Sequence, residues 1–149
     1  MCNFINKPYS ELSLDELYEI MVLRQEVFVV EQDCPYLDAD GKDQQAWHLM
    51  GFDKKEKLVA YSRIVPRGIS YKNYPSIGRI VSSPSVRGNG IGKKLMIASI
   101  GTSENLFKGQ PIKISAQCYL IKFYESFGFK PEGKEYLEDN IPHIAMIRE

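Results

Sequence analysis

The sequence predicts a single-domain α/β fold, built as a twisted mixed sheet with helices on both faces. Its 149 residues suit one domain, and no repeat, low-complexity segment or interdomain linker divides the span 1–149. In the second half of the chain, strand-like segments alternate with helix-like ones. That alternation is typical of a partly parallel sheet whose connecting helices cover both faces.

The first half of the chain is predicted to contain one strand, one helix and a hairpin. A weak strand covers 3–9, and Ser13 with Glu16 forms a capping box that starts the helix. The helix is expected to run to about residue 28. Its apolar face is predicted from Leu14, Leu17, Tyr18, Met21, Val27 and Val30. Turn-forming residues make 31–43 a loop, and strands over 46–52 and 58–65 enclose a charged turn.

The second half is predicted to continue as strand, helix, strand, helix and one or two strands. A β-branched segment at 76–82 precedes a helix whose apolar stripe is Ile91, Leu95 and Ala98. A strand follows at 112–117, then a short helix at 121–127. The clearest strand of the remainder is 143–147, with Pro131 and Pro142 interrupting the C-terminal region.

Charge and composition exclude several classes of function. The chain carries 19 Lys and Arg against 19 Asp and Glu, so no net field favours nucleic acid or an anionic membrane surface. No long apolar run indicates export or membrane spanning. Cys2, Cys34 and Cys118 lack CxxC spacing, which predicts reduced thiols in a cytoplasmic protein. The two histidines and the segment around Gly41 lack zinc and calcium spacing, so no metal is predicted.

A glycine-rich turn between the strand at 76–82 and the helix that begins at Ile91 predicts an anion site. Gly88, Gly90 and Gly92 let backbone N–H groups converge, and the start of the helix adds unbonded N–H groups and partial positive charge. The spacing fits neither a P-loop nor the dinucleotide fingerprint. The converging N–H groups and the positive charge of the helix start favour a phosphate-bearing ligand. The alternative is a plain glycine-rich turn.

Two motifs resemble those of the GNAT superfamily of N-acetyltransferases. The first is Arg-x-x-Gly-x-Gly at positions 87, 90 and 92, and the second is the aromatic segment 123–129 around Tyr124. The segment 23–32, together with Cys34, Pro35, 40–43 and His48, looks like the ElaA-like branch of that superfamily. Together these resemblances cover nearly the whole chain, and they imply a GNAT-type fold that binds acetyl-CoA.

The resemblance implies a role for each matching position. The backbone of Ile80, Val81 and Ser82 would pair with the pantetheine arm, and Arg87 heads the diphosphate loop. The amides of that loop belong to Gly88, Asn89, Gly90, Ile91, Gly92 and Lys93. Gln117 stands where many members have an asparagine that contacts the coenzyme. Tyr124 matches the general acid that protonates the departing thiolate, the alternative being a tyrosine with a packing role only.

The general base that would deprotonate the attacking amine is predicted to be Glu31 or His48, both in the N-terminal half. The alternatives are an ion pair of Glu31 with Arg79 or Arg63, and a strand histidine whose hydrogen bonds are satisfied. The acidic segment 31–43 is either a lip that attracts a cationic amine or a solvated loop.

These observations predict an acetyl-CoA-dependent N-acetyltransferase. The acceptor would be an amine-bearing small molecule or peptide, and a homodimer is left open. Direct transfer is favoured because no histidine accompanies Cys118 at a readable spacing. The alternative is a non-catalytic acyl-CoA-binding sensor, and a weaker one is a generic nucleotide-binding module.

Overall fold

A computed structural model describes residues 2–149, so Met1 of the predicted domain lies outside the described residues. Seven strands and three α-helices follow one another in the order β-α-β-β-β-α-β-α-β-β, as predicted. They are β1 Asn3–Pro8, α1 Leu14–Arg24, β2 Trp47–Phe52, β3 Leu58–Val65, β4 Ser76–Ser82, α2 Ile91–Leu106, β5 Ile112–Gln117, α3 Ile121–Glu125, β6 Lys130–Glu138 and β7 Ile141–Arg148. A π-helix, Gln25–Glu31, extends α1.

The strands form two antiparallel sheets rather than one continuous mixed sheet. The first has the order β1-β2-β3-β4 and the second the order β5-β7-β6. β4 and β5 are joined at their starts, where Lys113 N donates to the Pro75 carbonyl at 3.1 Å. No ladder joins the two strands within residues 2–149. The predicted single-domain α/β fold is confirmed. The predicted mixed sheet is instead two antiparallel sheets, and β4 and β5 lie side by side without forming a ladder among the described residues.

Both faces of the first sheet are covered, as predicted. Alternate residues point to opposite faces of a strand, and β3 shows this clearly. Ala60 and Ile64 pack in a cluster with α2, whereas Tyr61 packs in a second cluster with α1. The α2 side chains Ile91 and Leu95 lie in the first cluster, which confirms the predicted stripe.

The face that α1 buries differs from the predicted one. The Ser13–Glu16 capping box is present, but Leu14 and Tyr18 are 87% and 72% exposed. The buried side chains of α1 are Ile20, Leu23 and Arg24, and the predicted Val27 is buried on the π-helix that follows. The predicted face is therefore correct at Val27 and wrong at Leu14, Tyr18 and Val30, and the charged Arg24 could not be found from apolar residues alone.

The two C-terminal prolines lie inside strands rather than interrupting them. Pro131 is on the edge strand β6, where a missing N–H is tolerated. Pro142 pairs with Leu137 of β6, whereas pairing with β5 begins one residue later, at His143. Among residues 2–149, no helix has the length and apolar character needed to cross a membrane.

Candidate active site

A β-bulge in β4 shapes the edge that faces β5. Tyr61 of β3 pairs with Val81 and Arg63 pairs with Gly78, so Arg79 and Ile80 both lie opposite a single residue of β3. Arg79 has φ +51, a left-handed conformation that is uncommon for residues other than glycine. Bulges of this kind bend the strand and redirect its side chains, and they occur often beside active sites.

Two cavities lie along this edge. The loop cavity, about 420 Å³, is bounded by the end of β4, the glycine turn, the π-helix and α3. The sheet cavity, about 580 Å³, lies between β4 and β5 and extends to β6 and β7. Phe28, Ile80 and Tyr124 line both cavities. The two cavities therefore adjoin at these three residues.

The glycine turn has the backbone that an anion-binding loop needs. Gly88 and Gly90 have φ +89 and +72, and Gly90 caps the 16-residue helix α2. A Cβ at either position would meet no protein atom within 4 Å. The backbone angle, rather than crowding by the protein, therefore calls for glycine, and the space beside it is open. Gly92 and Arg87 line the loop cavity.

The other predicted loop residues turn toward different surroundings. The Ile91 side chain is buried in the core, so only its backbone is available to a ligand. Asn89 is exposed and donates from Nδ2 to the Val86 carbonyl at 3.3 Å. Lys93 is exposed in the first turn of α2, where its charge adds to that of the helix start.

Glu31 holds Arg87 in a bidentate ion pair. Arg87 Nη1 and Nη2 donate to the two carboxylate oxygens of Glu31 at 2.6 and 2.7 Å, and Nη2 also donates to the Ser82 carbonyl at 3.2 Å. The hydrogen bonds from Arg87 lower the pKa of Glu31, which weakens it as a base. Glu31 lines the loop cavity and not the sheet cavity. The expected ion-pair alternative is therefore present, with Arg87 in place of Arg79 or Arg63.

His48 is a fully buried strand histidine with both ring nitrogens engaged. Tyr61 donates its hydroxyl proton to Nδ1 at 2.6 Å, and Nε2 donates to the Asp43 carbonyl at 2.9 Å. Burial lowers the pKa of the imidazole. His48 lines neither cavity. The surroundings of His48 match the alternative of a strand histidine whose hydrogen bonds are satisfied. No lone pair of its ring is left to accept a proton from a substrate.

Tyr124 lies on α3, almost fully buried, at the wall that the two cavities share. Its ring packs edge-on against Phe123 and Phe129, with centroids 5.3 and 6.1 Å away. Burial, with a smaller contribution from Tyr119, raises the pKa of the phenol well above its usual value. The hydroxyl therefore stays protonated at neutral pH and can donate a hydrogen bond to an atom that gains negative charge.

The remaining predicted contacts divide between the two cavities. Val81 and Ser82 line the loop cavity. Gln117, the last residue of β5, lines the sheet cavity and pairs with His143 of β7. The structure thus brings Ile80, Val81, Ser82, Arg87 and Gly92 together around the loop cavity and places Gln117 across the gap from them.

Neither alternative describes the whole acidic segment, because three of its aspartates pair with arginines from other elements. This pairing offsets the charge of all three aspartates, and Asp40 still borders the sheet cavity. The cluster, called here the Arg–Asp cluster, consists of Arg24, Arg63 and Arg79 with Asp38, Asp40 and Asp43. Asp38 and Asp43 are only 5% exposed.

Arg24 is the centre of this cluster. Its Nε lies 2.8 Å from Asp38 Oδ2, and its Nη1 lies 2.7 Å from Asp43 Oδ1. Arg63 binds Asp40 with two hydrogen bonds of 2.7 and 2.8 Å and reaches Asp43 at 2.9 Å. Arg79 Nε lies 2.8 Å from Asp38 Oδ1 but is not aligned for a hydrogen bond, so the contact is an ion pair only.

Several residues of the sheet cavity were missed by sequence reasoning, among them Arg63, Tyr136, Glu138 and His143. A local signal for the last three is the turn at Asp139 and Asn140, whose φ values are +51 and +64. Two-residue hairpin turns with positive φ fix the pairing of their strands. This turn places Tyr136 opposite His143. Within residues 2–149, no group of three His, Cys, Asp or Glu side chains is placed to hold a metal.

Comparison with known proteins agrees with this geometry. The family model for the acetyltransferase (GNAT) domain matches residues 14–149. The chain is 44% identical over 145 residues to UPF0039 protein sll0451 of Synechocystis, covering 97% of this chain and 94% of the relative. It is 43% identical over 143 residues to protein ElaA of Escherichia coli, covering 95% and 92% of the two chains.

Two solved structures superpose over the full length of both chains. An acyl-CoA N-acyltransferase from Pseudomonas aeruginosa matches with a TM-score of 0.94 at 40% identity. Escherichia coli ElaA matches with a TM-score of 0.92, also at 40% identity. Each match covers 100% of this chain and 100% of the other.

Proposed function

This chain belongs to the GNAT acetyltransferase family, and from that membership we propose that it transfers the acetyl group of acetyl-CoA to a primary amine. The coenzyme would occupy the loop cavity and the amine the sheet cavity. The observation that carries the proposal is the position of Tyr124, which lines both cavities at their junction. Reacting groups that enter from the two sides would meet beside its hydroxyl.

The residues around the loop cavity fit a coenzyme that carries a diphosphate. Backbone amides of the glycine turn and the guanidinium of Arg87 would hold the phosphates. The edge of β4 from Ile80 to Ser82 would pair with the amides of the pantetheine arm, as an added strand pairs with a sheet edge. The open space beside Gly88 and Gly90 leaves room for this approach.

In the proposed reaction the amine attacks the thioester carbonyl carbon directly. A C–N bond forms and the C–S bond breaks, while a backbone N–H of β4 near Val81 stabilises the negative charge on the carbonyl oxygen. Burial and Glu135 raise the pKa of Cys118, which is opposite to the activation that a nucleophilic thiol needs. Direct transfer is therefore favoured over a covalent acyl-cysteine.

The departing sulfur requires a donor, and Tyr124 is the proposed one. A thiolate has a conjugate acid with pKa ~8.5, so complete proton transfer from a phenol of raised pKa is uphill even when the thiolate is fully formed. The hydroxyl therefore contributes a hydrogen bond that strengthens as the C–S bond breaks, and it passes its proton to the sulfur as it takes up a proton from the nitrogen that has bonded to the carbonyl carbon.

The test is release of the coenzyme thiol by the purified protein in the presence of acetyl-CoA and a panel of primary amines, with products identified by mass spectrometry. Tyr124→Phe should lower kcat ~10²–10⁴-fold, while calorimetry shows nearly unchanged acetyl-CoA affinity. The matched control is Tyr18→Phe, because Tyr18 is exposed on α1 and should leave kcat unchanged.

Two outcomes would contradict the proposal. Tight acetyl-CoA binding without thiol release for any amine would favour a non-catalytic acyl-CoA sensor. A kcat of Tyr124→Phe equal to that of the unmodified protein, under conditions where chemistry limits the rate, would remove Tyr124 from the mechanism.

A further inference from the structure

The sheet cavity contains a histidine whose orientation is fixed. His143 lies on β7, only 6% exposed, and it lines the same cavity as Tyr124. Its Nδ1 is 2.6 Å from the carbonyl oxygen of Ile141. A carbonyl oxygen can only accept, so Nδ1 carries the proton and a neutral ring leaves the lone pair on Nε2.

A carboxylate stands beside that free nitrogen. Glu138 Oε2 lies 3.6 Å from His143 Nε2, close enough to stabilise the ring once it takes up a proton. Ser115 Oγ, which is paired with the Tyr136 hydroxyl, lies 3.3 Å from Glu138 Oε1 and donates to it. The Tyr136 ring stacks on the imidazole at a centroid distance of 6.1 Å and an interplanar angle of 22°. These contacts therefore fix the tautomer of the imidazole, the plane of its ring and its position in the cavity.

An amine acceptor needs such a group. An alkylammonium has a pKa of ~10.4, so at neutral pH only about one amine in a few thousand carries the lone pair required for attack. Neither His48 nor Glu31 is suited to take the proton, for the reasons given above. The chain has only two histidines, so His143 is the one imidazole that can serve in this cavity.

We propose that His143 is the general base that accepts a proton from the acceptor ammonium, with Glu138 and the Ile141 carbonyl as its positioning groups. The proposal rests on the proposed acyl transfer. The Nε2 lone pair forms an N–H bond as the N–H bond of the ammonium breaks, and the electron pair left on the amine nitrogen forms the C–N bond. The coenzyme sulfur takes up its proton from Tyr124, which is restored by a second proton of the amine nitrogen, and His143 passes the first proton to solvent.

Charged and titratable groups lie near this ring on β6 and on the turn that joins β6 to β7. Glu138 and Tyr136 face it from β6 and Asp139 from the turn, whereas β5 contributes only the neutral Ser115 and Gln117. Burial, with Tyr136 and Glu138 nearby, raises the pKa of Tyr71 to about 12, so that phenol stays neutral in the range of the test. The far wall of the sheet cavity carries Lys42, Arg63, Arg79 and Asp40.

The experiment compares the pH profiles of two histidine variants, His143→Gln and His48→Gln, in the complete protein with acetyl-CoA and one amine substrate. At pH 7, His143→Gln should lower kcat/KM for the amine by ~10²-fold or more. The deficit should shrink toward pH 10, where the amine loses its proton without help. Acetyl-CoA affinity, measured by calorimetry, should stay unchanged. His48→Gln should lower the melting temperature but keep the fall of kcat/KM at low pH, which is called here the acidic limb of the profile.

Glu138→Gln provides a second measurement that does not depend on the folding of His143→Gln, since the Glu138 side chain is half exposed. It should move the acidic limb to lower pH, because a neutral amide stabilises the imidazolium less than a carboxylate does. A loss of kcat/KM in His143→Gln that is equal at every pH, or no loss at pH 7, would overturn the assignment. Failure of the unmodified protein to acylate any amine would instead overturn the proposed function, and this base with it.

Discussion

Replacement of Arg24 by methionine should destabilise the protein more than any exposed charge substitution. Arg24 is 0% exposed and bridges Asp38 and Asp43, and its guanidinium also donates to the Asp38 carbonyl at 3.1 Å. Methionine fills a similar volume and removes the charge. Arg24→Met therefore leaves two buried carboxylates without their shared partner.

The size of the effect follows from what each carboxylate retains. Breaking a buried ion pair from one side typically costs ~3–5 kcal/mol. Asp38 keeps the Tyr36 hydroxyl at 2.8 Å and Arg79, and Asp43 keeps Arg63, so we expect the lower end, ~3 kcal/mol. For a domain of this size, 1 kcal/mol shifts the melting temperature by ~2–4 °C. The expected loss is therefore about 6–12 °C.

Thermal and urea unfolding of the purified protein measure this loss. The matched control is Lys7→Met, which removes a partly exposed ion pair of 3.0 Å with Glu16 and should cost no more than ~1 kcal/mol. The triple variant Arg24→Met, Asp38→Asn, Asp43→Asn should recover part of the loss, because it removes the unpaired charges as well. A loss in Arg24→Met no greater than that of Lys7→Met would refute the view that the cluster is a buried, mutually dependent unit.

Three further predictions concern the loop, the Glu31–Arg87 pair and acid stability. Gly90→Val should weaken acetyl-CoA binding at least tenfold in calorimetry, since φ +72 strains a β-branched residue, whereas Gly101→Ala within α2 should not. Glu31→Gln should leave kcat within about twofold of that of the unmodified protein. It should raise the affinity for the coenzyme a few-fold at low salt, because Arg87 is freed to bind phosphate. A ~10²-fold fall in kcat would instead show that Glu31 is the general base. Although burial raises the pKa of Asp40, Arg63 outweighs it and lowers that pKa below the unfolded value of ~3.9. Its stabilisation is therefore present above about pH 4 and lost as the pH falls, so urea titrations of Asp40→Asn should show a deficit at pH 7 that shrinks at pH 3.

Local sequence patterns predicted the parts of this protein that depend on neighbouring residues. The Ser13 cap, the strand from Ser76 to Ser82 and the left-handed Gly90 are each specified within a few positions. The side of the loop cavity formed by β4 and the glycine turn follows from these elements, because the turn lies between β4 and α2.

Features that join distant parts of the chain could not be read in this way. Arg24 meets Asp43 across 19 positions, and Arg79 meets Asp38 across 41, so the acidic segment looked unpaired in sequence. The same limit applies to the histidines. His143 reaches the sheet cavity through the register of a hairpin, whereas His48 is turned into the core by the pairing of β2 with β3.

The division into two sheets also bears on how the protein behaves at high concentration. Unpaired strand edges invite pairing with other chains, and this fold has four of them. The inner two, on β4 and β5, face each other across the sheet cavity, where a second protein molecule would have to enter a narrow gap. The outer two carry lysine and proline, Lys7 and Pro8 on β1 and Lys130 and Pro131 on β6. Any change that opens the gap would therefore expose the least protected edges, and aggregation would follow loss of the cavity rather than loss of the outer strands.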